Sequence, residues 1–489
     1  MSKNNMNRTP LTVLLLCCTL LGLHAAKVKN PARGTYIYRY YLTDKQASTL
    51  SIDKPQRFLS RKSLDRRQRQ GLQLDSTDLP VPRQYVRQFA VKGTEVLGTS
   101  RWQNTVVVRS TDTLLLRRLA ALPIVRDWRC VYVAPDSINR DEDIRWNVHE
   151  TFNRWDSVKN DPYGMAREQI EMLGGIRMHE AGLTGQGITI AIIDGGFQNY
   201  DRIPALRQTR IAGVRDFVEP ANTQPERMAE SPYPTRGTSF QLIDHGTKVF
   251  SAIAARAPEV TMGTAPDATF WLLRSEENAT EQPVEEDYWV MAAEFADSVG
   301  VDIINSSLGY YTYDAPLPGY RLRDLDGETA LISRAASMLA CKGIVLCNSA
   351  GNSGMGQWKK INVPADARDI LTVGAIDARG LAAPFSSVGP SQDGRVKPDV
   401  VARGSNATLL SGRGTLVHDM GTSFSTPIIC GMVACLWQGL RQLTALEIME
   451  LVRESADQHD APNNIFGYGL PNFWEAYKQG RDGTHADPL

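Results

Sequence analysis

The chain has 489 residues, with 54 Lys+Arg balancing 54 Asp+Glu, and is 42% hydrophobic and 22% charged. That length exceeds one small core and points to two or more domains. The even charge gives no argument for a general polyanion-binding surface, and no nucleic-acid partner is expected. The arginine pairs Arg66-Arg67 and Arg117-Arg118 read as solvated helix faces.

The first element is a targeting segment. Lys3 and Arg8 precede an apolar run over Leu11–Leu23, and Ala25-Ala26 follows as a small-residue cleavage site. The run is short for a membrane span, so residues 1–26 read as a secretory signal peptide, with a retained anchor as the alternative. No other segment is apolar enough to cross a bilayer, and a secreted protein, periplasmic or extracellular, is expected. Beyond the signal stand Cys130, Cys341, Cys347, Cys430 and Cys435, an odd and irregular set that is no disulfide framework. A Cys341–Cys347 bridge stays open in an oxidising compartment, against the reading of Cys347 as an interior strand residue. No Cys/His cluster has zinc spacing.

Residues 27–135 form a first unit. Strands are predicted over Thr35–Leu42, Thr94–Thr99, Thr105–Arg109 and Arg129–Ala134, with helices over Pro82–Lys92 and Asp112–Leu122. The order β-α-β-β-α-β is a split β-α-β pattern for a small α+β domain. An extra basic helix is predicted over Ser60–Gln70. Residues 136–162 are rich in Asp, Asn, Arg and Glu, have little periodicity, and read as an accessible linker that can be cut. From 163 to about 480, apolar strands alternate with helices: Ile188–Ile193, Ala268–Leu273, Glu286–Val299 (helix), Val301–Ser306, Gly327–Lys342 (helix), Gly343–Asn348, Ile370–Ile376 and Ser425–Gln442 (helix). This implies a mostly parallel sheet covered on both faces. Residues 481–489 are a polar tail.

Three motifs carry chemistry. Asp194 ends a buried strand and precedes Gly195-Gly196, where open parallel sheets gather their functional groups. His245, in Asp244-His245-Gly246-Thr247, opens a helix and is a natural general base near neutral pH. Ser423, in Gly421-Thr422-Ser423-Phe424-Ser425-Thr426-Pro427, opens another helix, whose free N–H groups can hold an oxyanion. Pro427 is expected in the first turn, where proline is tolerated. Asn352, in Ser349-Ala350-Gly351-Asn352-Ser353-Gly354, presents an amide donor after a buried strand. The order Asp, His, Ser is one known ordering of the serine triad.

These motifs, with Ile304-Asn305-Ser306-Ser307-Leu308-Gly309 and Gly467-Tyr468-Gly469-Leu470-Pro471-Asn472, resemble the subtilisin family of serine proteases over about Tyr163–Tyr477. The resemblance implies a subtilisin-like α/β fold. It implies Ser423 as nucleophile, His245 as base and then acid, Asp194 as orienting carboxylate, and Asn352 with the Ser423 N–H as oxyanion hole. Ser306, Ser307, Leu308 and Gly309 would line the substrate cleft. The first unit is similar in element order to the family's pro-domain, which would act in cis as an inhibitor and be cut off. The chemistry requires no cofactor. The family often binds structural calcium, but no ligand set here is specific enough to name. Polypeptide substrates and a monomer are expected.

The chain departs from the family in having Lys248 where a second His is usual. Lys248 lies one helical turn from His245 and is expected either to lower its pKa or simply to be solvated. The loop Tyr310–Asp326 is a candidate for shaping substrate preference. An α/β-hydrolase esterase needs G-x-S-x-G and the order Ser, Asp, His, and neither occurs. A silent binding protein would be expected to lose a triad member. A self-processing scaffold stays open.

Overall fold

A computed structural model of the chain describes residues 34–135, 146–219 and 243–483. The signal peptide, the first ten residues of the expected linker and most of the polar tail lie outside the described residues.

The first unit has β1 (Tyr36–Leu42), α1 (Arg61–Arg69), α2 (Arg83–Phe89), β2 (Glu95–Ser100), β3 (Thr105–Ser110), α3 (Thr113–Ala120) and β4 (Val125–Val133). Its antiparallel sheet has the order β2-β3-β1-β4. Strand alternation divides the side chains between two cores. Tyr38, Tyr40, Val106 and Val108 face Phe89, Leu116 and Leu119 of the unit's own helices. Ile37, Tyr41, Val107 and Val131 face the larger unit and share a core with Tyr288, Trp289 and Ala292.

The larger unit is built on β5 (Thr189–Asp194), β6 (Arg210–Asp216), α4 (His245–Ala254), β7 (Thr269–Arg274), α5 (Val284–Val299), β8 (Ile303–Ser306), α6 (Leu331–Ser337), β9 (Val345–Ser349), β10 (Leu371–Ile376), β11 (Val400–Arg403), α7 (Thr422–Gly439) and α8 (Ala445–Glu454). Seven strands pair in the order β11-β10-β9-β8-β5-β7-β6, all parallel. Every residue of β5, β8, β9, β10 and β11 is buried, as expected of a sheet covered on both faces. α4 and α7 cover one face. α5 covers the other and carries the first unit's sheet on its outer side. The expected fold class is borne out.

Two expectations are corrected. Arg66 and Arg67 are not solvated: their side chains are 1% and 2% exposed. Arg66 donates to the carbonyls of Lys342 at 3.0 Å and Val301 at 2.5 Å, and both arginines bond Asp297 of α5. α1 is a docking helix, and its partners lie some 230 residues away in the chain. Arg117 and Arg118 are exposed as expected. Second, α7 begins at Thr422, three residues before the expected start, so Pro427 lies inside the helix. Its missing N–H frees the Ser423 carbonyl, which accepts instead from Ser307 Oγ at 2.9 Å.

Residues 146–158 run along the larger unit. The Asn199 Nδ2 donates to Trp146 O at 2.8 Å, and His149 N donates to Arg413 O at 2.9 Å. Cys341 is exposed, Cys347, Cys430 and Cys435 are buried, and all are free thiols. Among the described residues no helix is long and apolar enough to cross a membrane.

Candidate active site

Asp194 is delivered by the carboxyl end of β5 and is 1% exposed. The turn after it is fastened to α4, because Gly246 N donates to Gly196 O at 3.0 Å. A Cβ on Gly246 would stand 2.4 Å from that oxygen, so only glycine permits this approach. The approach sets His245 Nδ1 against Asp194 Oδ1 at 2.8 Å. Gly195 N donates to the same oxygen at 2.8 Å.

Ser423 is the second residue of α7, within the turn whose backbone N–H groups lack helical partners. Asn352 follows β9, and its Oδ1 accepts from Thr422 N at 2.9 Å and from Thr422 Oγ1 at 3.0 Å. These bonds turn the Asn352 amide nitrogen toward Gly421, where a Cβ would stand 3.6 Å from it. The Ser423 hydroxyl donates to Ser307 O at 3.2 Å, not to His245. Ser307 and Ser423 thus exchange a reciprocal pair of bonds across the site. Catalytic hydrogen bonds of this kind are often unformed before substrate arrives.

A cavity of about 470 Å³ brings together His245, Ser423, Asn352, Ser307, Leu308 and Gly309. Asp194 sits behind His245. Ser306 does not line the cavity: as the last residue of β8 it turns inward and accepts from Trp289 Nε1 at 3.1 Å. Three of the four tyrosines of the 310–326 loop also pack inward, while Tyr311 is half-buried and stacks on Trp358. Tyr313 and Tyr320 donate to Glu286 of α5 at 2.9 and 2.6 Å, and Tyr310 is buried.

The sequence reading missed Glu276, Asn278 and Glu281, which line the same cavity from the loop after β7. A signal was present: three glutamates, Glu276, Glu277 and Glu281, just beyond the carboxyl end of a buried strand. Glu276 bears on His245. Burial works against the imidazolium, but the Asp194 charge and hydrogen bond and then the Glu276 charge outweigh it, pushing the pKa of His245 up to about 9. Lys248 acts in the opposite direction and is the weakest of these influences. Its ammonium is engaged by Asp419 at 3.0 Å.

For the general-base role expected of His245, which requires a neutral imidazole, the raised pKa predicts activity that climbs into alkaline pH. Glu276→Gln removes a negative charge and should move the acidic limb of the pH–rate profile down. Lys248→His or Lys248→Ala should move it slightly up. Limbs that stay put in all three variants would show that these charges do not reach His245.

An all-parallel sheet with an Asp, a His and a helix-opening Ser gathered at its carboxyl edge defines a protein of subtilisin-like architecture. The chain belongs to the Subtilase family: the family model matches residues 185–469. The model of the Peptidase S8 propeptide domain of Bacteroidota matches residues 37–147. The chain is similar to serine protease AprX of Bacillus subtilis (strain 168), 30% identical over an alignment of 321 residues that covers 59% of this chain and 66% of that protein, just under two thirds of its length. It is similar to Subtilisin NAT of Bacillus subtilis subsp. natto, 27% identical over 345 residues covering 69% of this chain and 77% of that protein. The crystal structure of MycP1 from the ESX-1 type VII secretion system superposes with a TM-score of 0.50 at 23% identity, covering 68% of this chain and 89% of that one, a likeness of fold. The protein is thus a peptidase-family hydrolase of the serine-protease kind that carries its propeptide domain.

Proposed function

We propose that the protein is a secreted serine endopeptidase, made as a zymogen and released by a cut within residues 136–162. Ser423 attacks the scissile carbonyl. His245 takes its proton and returns it to the leaving amine. Asp194 holds the imidazole and stabilises its charged form, and water then hydrolyses the acyl-enzyme. The Asn352 amide and the Ser423 N–H receive the oxyanion. Ser307, Leu308 and Gly309 offer an edge for extended substrate backbone. The chemistry needs no metal or cofactor. The observation that carries this reading is the Asp194–His245 bond of 2.8 Å opening onto a cavity that also holds Ser423 and Asn352.

The test compares the chain without its signal with its Ser423→Ala variant, following chain mass over time and hydrolysis of casein. The wild type should shed its N-terminal unit and cut casein. Ser423→Ala should stay intact, with activity lower by about 10⁴-fold or more. If both stay intact and inert, a phosphonate probe separates the causes. Labelling at Ser423 means that an outside protease must remove the pro-domain. No labelling of the chain, with the N-terminal unit cut away or not, overturns the reading in favour of a scaffold.

A further inference from the structure

The cavity that holds Ser423 and His245 has one acidic wall. Glu276 and Glu281 line it. A second hollow of about 330 Å³ continues along the same loop, walled by Glu276, Glu281, Glu285 and Asp314. Arg274, the cation at the end of β7, is committed elsewhere, to Asp216 at 3.0 Å and Glu277 at 4.0 Å. Among the described residues no Lys or Arg forms an ion pair with Glu276, Glu281, Glu285 or Asp314. In the wall of the second hollow stands Thr280, 8% exposed, whose hydroxyl has no hydrogen-bond partner among the described residues.

The wall is held in shape by its neighbours. Glu285, from the first turn of α5, accepts from Glu277 N at 2.7 Å and Gln282 N at 3.0 Å and so clamps the loop. Asn278 Nδ2 donates to Gly195 O at 3.0 Å. A Cβ on Gly195 would stand 3.0 Å from Glu276 Oε2 and 2.8 Å from Asn278 Oδ1, so the bare glycine after Asp194 is what admits this loop to the site. Among the described residues no three His, Cys, Asp or Glu side chains converge to hold a metal ion. The charge that suits two spaced carboxylates and a spare hydroxyl is the end of a long side chain, an ammonium or a guanidinium.

The direction of the chain is also visible. Gln282, at the end of the loop, exchanges two bonds with Val133, the last residue of β4, at 2.8 and 3.0 Å. The first unit therefore hands its chain, running N to C, to the acidic side of the cavity. A polypeptide continuing that way passes Glu276 and Glu281 before its scissile carbonyl reaches Ser423. Resting on the protease reading, we propose that Glu276 and Glu281 make the site select a lysine or arginine side chain on the acyl side of the scissile bond, beside His245.

Burial, with the charges of Asp194 and Glu281, pushes the Glu276 carboxyl up to about 8, against the opposing influence of His245 and of Tyr310, whose hydroxyl lies 3.5 Å away. An arriving cation favours the ionised form, so selectivity should sharpen from mildly acid to alkaline pH.

The test gives processed wild-type enzyme a mixed peptide library, reads the cut positions by mass spectrometry, and measures kcat/KM on peptide pairs differing by one Lys-to-Leu exchange. Lys and Arg should be enriched at one acyl-side position. The Lys/Leu ratio of kcat/KM there should fall about tenfold or more in Glu276→Gln/Glu281→Gln, the loss of one charge-assisted contact. Glu281→Gln alone, at an exposed position, should lower the ratio in the same direction without threatening the fold. A wild type without basic preference at any acyl-side position, or a ratio unchanged in both variants, overturns the proposal. Failure of the protease reading looks different: no library peptide is cut and no phosphonate labels Ser423.

Discussion

Asp194→Asn should lower kcat by about 10³- to 10⁴-fold with little change in fold, and should also move the acidic limb of the pH–rate profile to lower pH. The Asp194 Oδ1 accepts both Gly195 N and His245 Nδ1, each at 2.8 Å, and an asparagine oxygen can keep both bonds. The other carboxylate oxygen, Oδ2, is buried and makes no hydrogen bond, so the amide nitrogen enters a place without an acceptor. What disappears is the charge. On the proposed mechanism the imidazole becomes a cation in the transition state at a site where Asp194 is its bonded counter-ion, and a neutral amide does not replace that attraction. In the resting enzyme the same charge is the leading influence raising His245 toward about 9. The variant is therefore slower and yet keeps its histidine neutral at lower pH. Steady-state kinetics across pH, with circular dichroism to check the fold, read both effects. A drop in kcat with an unmoved acidic limb would mean that the carboxylate acts by orientation alone.

The parts of this site that sequence made legible are those that local chain geometry forces into motifs. Gly246 must be glycine because Gly196 O lies where its Cβ would be, and that necessity marks His245. Asp194 ends one buried strand and Asn352 stands just past another, where a parallel sheet presents its functional groups. The sheet itself was readable because strands buried on both faces are continuous apolar runs. Long-range pairing left no such trace. Arg66 and Arg67 look like any basic helix face until Asp297 is brought to them. The 310–326 tyrosines look like a specificity loop until Glu286 claims two of their hydroxyls. Pro427 was misplaced because the Ser307 hydroxyl that makes it tolerable inside α7 comes from the segment just past β8, over a hundred residues away in the chain. The acidic wall fell between these cases, with its residues in plain view but its direction set by Gly195, Glu285 and Gln282.

Asp297→Ala, made in the uncleaved Ser423→Ala chain, should weaken docking of the first unit by about 3–5 kcal/mol. Asp297 is fully buried on α5. Arg66 reaches its Oδ1 at 2.5 Å, Arg67 bonds both its oxygens at 2.9 and 3.0 Å, and Arg101 bonds Oδ2. Arg66, Arg67 and Arg101 all come from the first unit, so the variant leaves three buried guanidinium groups short of their shared anion. Calorimetry should show the unfolding of the first unit moving to lower temperature and separating from that of the larger unit. Adding Arg66→Ala should cost much less in the Asp297→Ala background than alone, because one carboxylate serves all three arginines. Equal costs in both backgrounds would show that the contacts are independent. The response to pH follows from the same groups. Burial opposes ionisation of Asp297, but Arg101, Arg67 and Arg66 overcome it and hold its carboxyl well below the usual range. Its contribution is present above the ordinary carboxylate pKa, near 4, and is lost only as pH falls through the depressed value. Asp287, bonded to Arg39, and Glu294, bonded to Ser100 and Arg101, shift the other way because burial dominates. A carboxyl raised in the docked state takes up a proton there, so these two favour docking as pH falls. Mild acid therefore leaves the anchor at Asp297 intact and relieves the two carboxyls that burial strains, so acidification by itself is expected not to loosen these contacts of the first unit.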